Sequence, residues 1–122
     1  MPKVLVADDD TRMVRLLVLT MPSGYEILQA TDGEEAVNAA LSSVPDIILL
    51  DVNMPGLNGF EVLRKIRESI KLANTRVILV TARTDEADRS LGMQLGADAY
   101  LTKPFSPLRL LQKVTQLLGE GA

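Results

Sequence analysis

The chain contains no cysteine and no histidine. Without cysteine there is no disulfide and no thiol chemistry, which fits the cytoplasm. Without histidine, hydrolytic triads built on an imidazole and histidine metal sites are excluded. No apolar run approaches the roughly 18 residues that span a bilayer. The opening Met1-Pro2-Lys3-Val4-Leu5-Val6 is too short an apolar stretch for a secretory signal. There is no excess of basic residues either. The net charge is −3, which argues against direct nucleic-acid binding by this segment. No internal repeat, low-complexity tract or linker is visible. The tail Gly119-Glu120-Gly121-Ala122 reads as a true end or as the stump of a linker.

What is present suits one globular domain spanning residues 1–122. Apolar residues make up 47% and charged residues 24%, an ordinary balance that can bury a core without staples. Three short apolar runs stand out: Val4-Leu5-Val6-Ala7, Ile47-Ile48-Leu49-Leu50 and Val77-Ile78-Leu79-Val80. They are continuous rather than alternating, as in strands covered on both faces of a parallel sheet. A weaker run from Tyr25 to Ala30 alternates and suits an edge. A fifth, short run is Ala99-Tyr100-Leu101.

Helical segments separate these runs. The first spans Thr11 to Met21 and is stopped by Pro22 and Gly24. The second follows Thr31-Asp32 and continues to Leu41. The third starts near Gly59 and carries Phe60, Val62, Leu63 and Ile66. The fourth starts near Asp85 and is apolar at Leu91, Met93 and Leu95. The fifth has Ser106 as N-cap and Pro107 in its first turn, with a predicted stripe of Leu108, Leu111, Val114 and Leu118. Five β-α units in series predict an α/β fold with a doubly wound parallel sheet.

In such sheets ligands bind beyond the carboxyl ends of the strands. There the sequence places Asp8, Asp9 and Asp10 after the first run and Asp51 after the third. Thr81 follows the fourth, and Lys103-Pro104 the fifth. Two unit charges about 4 Å apart repel by about 4 kcal/mol at an effective dielectric near 20. Clustered carboxylates therefore take up a proton or a cation. Oxygen-only ligands favour Mg²⁺. A lysine and a hydroxyl beside them complete a place for a phosphoryl group, and a carboxylate can itself be the nucleophile. Asp10 is predicted to serve as a helix cap. Phe60 and Phe105 are read as core, and Arg12 and Arg15 as a solvated helix face.

The strings VLVADDD, LLDVNMPGLNGFE, ILVTA and GADAYLTKPF, taken together, resemble the receiver domains of bacterial response regulators. The resemblance covers nearly the whole chain. It implies a flavodoxin-like (βα)5 fold with strand order 2-1-3-4-5, the order of the chemotaxis member of that family. It implies that Asp51 accepts a phosphoryl group from the phosphohistidine of a sensor histidine kinase or a histidine phosphotransfer protein. Asp8 and Asp9 match the family's acidic pair. Asp9 would bind Mg²⁺ directly, Asp8 through water, and the Asn53 carbonyl would be a further ligand. Thr81 matches the hydroxyl that follows the phosphoryl group, Lys103 its basic partner, and Tyr100 the aromatic that changes rotamer. The Lys103-Pro104 bond is expected to be cis. Asn53 and Arg83 fall at the positions that set phosphoryl lifetime.

The implied protein is a cytoplasmic switch that catalyses only its own phosphorylation and dephosphorylation. It acts on an output domain or effector protein, without membrane contact, and the family allows a homodimer that forms on phosphorylation. Two departures weaken any particular dimer or output. Ala99 stands where winged-helix members place a second acid beside Asp98, and the last helix lacks an arginine-rich end. Two rivals remain at this point. A haloacid-dehalogenase-like phosphatase would also use Asp, Mg²⁺, hydroxyl and lysine, but its nucleophile follows the first strand, and it would turn over small phosphate esters. A degenerate receiver used only for binding would not need the complete acidic pair and lysine.

Overall fold

A computed structural model describes residues 2–119. Residues 120–122, the greater part of the tail, lie outside them. The strands are β1 (Lys3–Ala7), β2 (Glu26–Ala30), β3 (Ile47–Leu50), β4 (Arg76–Thr81) and β5 (Ala99–Thr102). The helices are α1 (Thr11–Thr20), α2 (Gly33–Ser43), α3 (Gly59–Arg67), α4 (Glu86–Gln94) and α5 (Pro107–Leu117), with a 3-10 turn at Ile70–Leu72. All strand pairs are parallel, in the order β2-β1-β3-β4-β5. The weak, alternating run is indeed the edge strand β2. Its neighbour β1 pairs Val4 with Ile27 on one side and with Ile47 on the other.

The continuous apolar runs follow from a sheet sandwiched between two helix layers. Side chains alternate across a strand, so a strand covered on both faces needs an apolar residue at every position. Leu5, Ala7, Ile48, Leu50, Val77 and Leu79 enter one core with Ala36 and Ala40 of α2 and Val62, Leu63 and Ile66 of α3. Val4, Val6, Ile47, Leu49, Ile78 and Val80 enter the other, with Val14 and Leu17 of α1 and Leu110 and Val114 of α5. β3 is buried at all four of its positions.

Local signals start the helices where expected. Asp10 accepts from the amides of Arg12 and Met13, and Asp32 from that of Glu35. Ser106 accepts from the Arg109 amide, with Pro107 in the first turn. Asn58 and Glu61 form a reciprocal capping box that opens α3.

The packing faces of the last two helices match the sequence expectation at Leu95, Val114 and Leu118 and differ from it elsewhere. In α4, Leu91 and Met93 are exposed, and the buried residue is Gly92. A Cβ at position 92 would lie 2.5 Å from Leu79 Cδ1, so α4 approaches the sheet through a residue without a side chain. In α5, Leu110 and Val114 are buried, while Leu108 is 63% exposed. The leucines of α5 satisfy helical spacing in more than one register, and hydropathy does not separate them. Among the described residues, no helix is long and apolar enough to cross a membrane.

Candidate functional site

The carboxyl ends of β1, β3, β4 and β5 open onto one edge of the sheet, where short turns lead into the helices. Gly59 lets α3 begin against the strand end that carries Asp51. A Cβ there would sit 2.5 Å from the Asp51 carbonyl oxygen and 2.6 Å from Val52 Cα. The Gly59 amide donates to the Val52 carbonyl (2.8 Å), which closes the turn.

Asp8, Asp9 and Asp51 converge at this edge, with one oxygen of each within 4.8 Å of the others. Asp8 and Asp51 are buried, and Asp9 is exposed. Lys103 Nζ bridges the buried pair, 2.8 Å from Asp8 Oδ2 and 3.3 Å from Asp51 Oδ2. The other oxygens take backbone amides. Asp10 N donates to Asp8 Oδ1 (2.9 Å), and Asn53 N to Asp51 Oδ1 (3.2 Å). The Lys103–Pro104 peptide is cis, and the Lys103 amide donates to the Thr81 carbonyl (2.7 Å), so β4 and β5 are joined at the site.

Burial pushes the Asp51 carboxyl above its ordinary range, and the charge of Asp8 adds to the effect. The Asn53 amide and Lys103 offset only part of it. Burial works against the Lys103 ammonium, but the Asp8 hydrogen bond and the charges of Asp51 and Asp8 outweigh it. Its pKa is raised, and it stays cationic. The donor set is all oxygen, partly buried and anionic, with one open side at Asp9. It fits a hard divalent cation that keeps some of its waters.

Thr81 is fully buried at the end of β4, and its Oγ1 accepts from the Arg83 amide (3.2 Å). Tyr100 is buried with its ring inward, and its hydroxyl donates to the Arg83 carbonyl (2.8 Å). Arg83 Nε donates to Asn53 Oδ1 (3.0 Å). The structure thus brings together the residues that the resemblance places in the site. The acids and Lys103 form an inner group, and Thr81, Asn53, Arg83 and Tyr100 form an adjoining chain of contacts. Two contacts escaped the sequence reading. Arg83 Nη1 lies 3.6 Å from Asp88 Oδ1 of α4, and its guanidinium stands 5.9 Å over the Phe60 ring. Phe60 is thus half core, half platform. Neither contact has a motif, since both depend on how the Arg83 loop lies against α4 and against α3.

The family model for the response regulator receiver domain matches residues 4–115. The chain is 44% identical over 117 residues to the alkaline phosphatase synthesis transcriptional regulatory protein PhoP of Bacillus subtilis, covering 95% of this chain and 48% of that protein. It is 39% identical to a probable transcriptional regulator, ycf27, of Guillardia theta, over 95% of this chain and 45% of that one. The chain thus spans about half the length of the curated relatives it matches. Among solved structures, the BeF3-activated receiver domain of DrrB superposes with a TM-score of 0.90 at 32% identity, covering 98% of this chain and 99% of that one. The chemotaxis protein CheY4 of Vibrio cholerae gives 0.88 at 34% identity, over 96% and 98%. The chain belongs to the response regulator receiver family of two-component systems.

Proposed function

We propose that residues 1–122 form one phosphoacceptor unit in which Asp51 takes a phosphoryl group from the phosphohistidine of a sensor histidine kinase or histidine phosphotransfer protein. A carboxylate oxygen of Asp51 bonds to phosphorus as the phosphorus–nitrogen bond to the donor imidazole breaks, leaving an aspartyl phosphate and a neutral histidine once the imidazole takes a proton. The observation that carries this reading is the cluster of three acids at the end of the sheet, two of them, Asp8 and Asp51, bridged by the half-buried Lys103.

Asp8, Asp9, Asp51 and the carbonyl of Asn53 would hold Mg²⁺. That ion would supply positive charge against the oxygens of the transferring group. Lys103 already faces Asp51 and can pair with a phosphoryl oxygen. Thr81 would turn its hydroxyl from the Arg83 amide toward the new group, and Tyr100 would report the change to the α4–β5–α5 surface. Asn53 and Arg83, joined across the mouth of the site, would set how long the phosphoryl group survives. The protein acts as a cytoplasmic switch on an output domain or effector protein, and a homodimer that forms on phosphorylation is compatible with it. It catalyses only its own phosphorylation and dephosphorylation.

The test is incubation with phosphoramidate and Mg²⁺, followed by intact mass measurement. One phosphoryl addition is expected in the wild type and none in Asp51→Asn. Full modification of that variant, or none of the wild type, would overturn the assignment.

A further inference from the structure

Arg83 contacts four residues around the site, on four different segments. Its amide donates to the Thr81 hydroxyl and its carbonyl accepts from Tyr100. Its guanidinium reaches Asn53 on the phosphoacceptor loop and Asp88 on α4. By contrast, α4 is weakly held. Its buried residue is a glycine, and its N-cap, Asp85, makes no side-chain capping bond. The Arg83–Asp88 pair ties the first turns of α4 to the loop after β4, as Arg89 over the Tyr100 ring ties them to β5.

A phosphoryl group on Asp51 would carry roughly −1.5 to −2 charge and three acceptor oxygens, suited to the fork of an arginine. Asp88 offers one charge at 3.6 Å, in a pair whose arginine side chain is 41% exposed, the kind of ion pair that holds weakly. The two anions want the same cation, and the stronger one arrives only on phosphorylation.

We propose that Asp88 is the resting-state partner of Arg83 and competes for it with the phosphoryl group. Phosphorylation then takes Arg83 from Asp88 and releases the first turns of α4. This rests on the receiver reading and adds to it a named regulatory contact on α4. Asp88 is a positioning residue: it acts on phosphoryl lifetime through Arg83 and on α4 by letting it go.

The experiment compares wild type, Asp88→Asn, Arg83→Gln, the double variant and Glu86→Gln. Glu86 shares the acidic first turn of α4 and controls for the loss of a favourable charge at a helix start. Two quantities are read: phosphoryl half-life by intact mass after phosphoramidate is removed, and deuterium uptake over residues 86–94 before and after loading. In Asp88→Asn the half-life should lengthen about two- to fivefold, the range a partly exposed ion pair supplies. Uptake in α4 should be high before loading and rise little after it. Glu86→Gln should match the wild type in both. In the Arg83→Gln background, Asp88→Asn should change nothing further. The proposal is overturned if Asp88→Asn and Glu86→Gln behave alike, or if Asp88→Asn still lengthens the half-life without Arg83. Absence of any phosphoryl mass on the wild type would overturn the receiver reading itself, before a variant is compared.

Discussion

Asp51 carries opposing demands in one carboxyl group. Burial and Asp8 favour its protonated form, while the Asn53 amide and Lys103 favour the anion. Its folded pKa lies above the ordinary value, so the folded state holds that proton more tightly than the unfolded chain does. The stability this confers is full below the unfolded pKa and is lost as pH rises through the folded one. At neutral pH without metal the Asp51 carboxyl is therefore a cost to folding, while the raised pKa of Lys103 works the other way. Asp51→Asn keeps an acceptor for the Asn53 amide and removes the buried charge. It should be more stable than the wild type at neutral pH in a chelating buffer, by about 1 kcal/mol. Melting curves across pH check this: the gap should close as pH falls through the Asp51 pKa, when the wild type also becomes neutral. A gap independent of pH would remove the electrostatic explanation.

Helix α4 shows how the elements differ in what they reveal. The runs that became β1, β3 and β4 were legible because a sheet covered on both faces demands an unbroken apolar run. The residues at their carboxyl ends were legible for a related reason. Polar groups that follow a buried strand must emerge at the same edge, so Asp8, Asp51, Thr81 and Lys103 could be grouped before their distances were known. The face of α4 was not legible. It packs through Gly92, which contributes nothing to an apolar pattern, while the leucine and methionine beside it face solvent. The contact of Asp88 with Arg83 was hidden for the same reason, since it depends on which way that helix turns.

Gly92 gives the element its own test. Gly92→Ala gains about 1 kcal/mol of helix propensity. It also drives a methyl group against the fully buried Leu79 and toward Tyr100, 3.5 Å from the built Cβ. Overpacking a core costs about 1–3 kcal/mol, so the net effect should be a small loss of stability. Backbone amide shifts should be confined to α4, β5 and the Phe60 neighbourhood. A stabilised variant with unshifted α4 amides would mean that the helix rests loosely on the sheet.

The whole fold is needed to bring together the acids of the site, which lie far apart in sequence. Asp8 and Asp9 follow β1 and Asp51 follows β3, and the unfolded chain does not keep them together. A cation that needs all three binds the folded state alone, and its binding free energy adds to folding. At a hundredfold excess over the dissociation constant the gain is about 2.7 kcal/mol, or roughly 10 °C in melting temperature for a domain of this size. Mg²⁺ should raise the melting temperature by an amount of that order, and Asp9→Asn should lose most of the rise. An equal rise in that variant would show that the ion binds elsewhere. Asp9 is the right residue to remove, because it is exposed and Lys103 bridges the other two.

The scarcity of aromatic residues has an optical consequence. The chain has no tryptophan and only two tyrosines, Tyr25 and Tyr100. Tyrosine emission is therefore not drained by energy transfer to an indole, and one of the two phenols, Tyr100, adjoins Arg83. The Tyr100 hydroxyl donates to the Arg83 carbonyl, and its ring lies 5.9 Å beneath the Arg89 guanidinium. Phenol emission is sensitive to what the hydroxyl donates to. Any event that moves Arg83 or α4 should change the brightness of the unlabelled protein, and Tyr100→Phe should leave only the steady glow of Tyr25. The protein thus carries its own fluorophore between the acidic cluster and the surface that α4 forms.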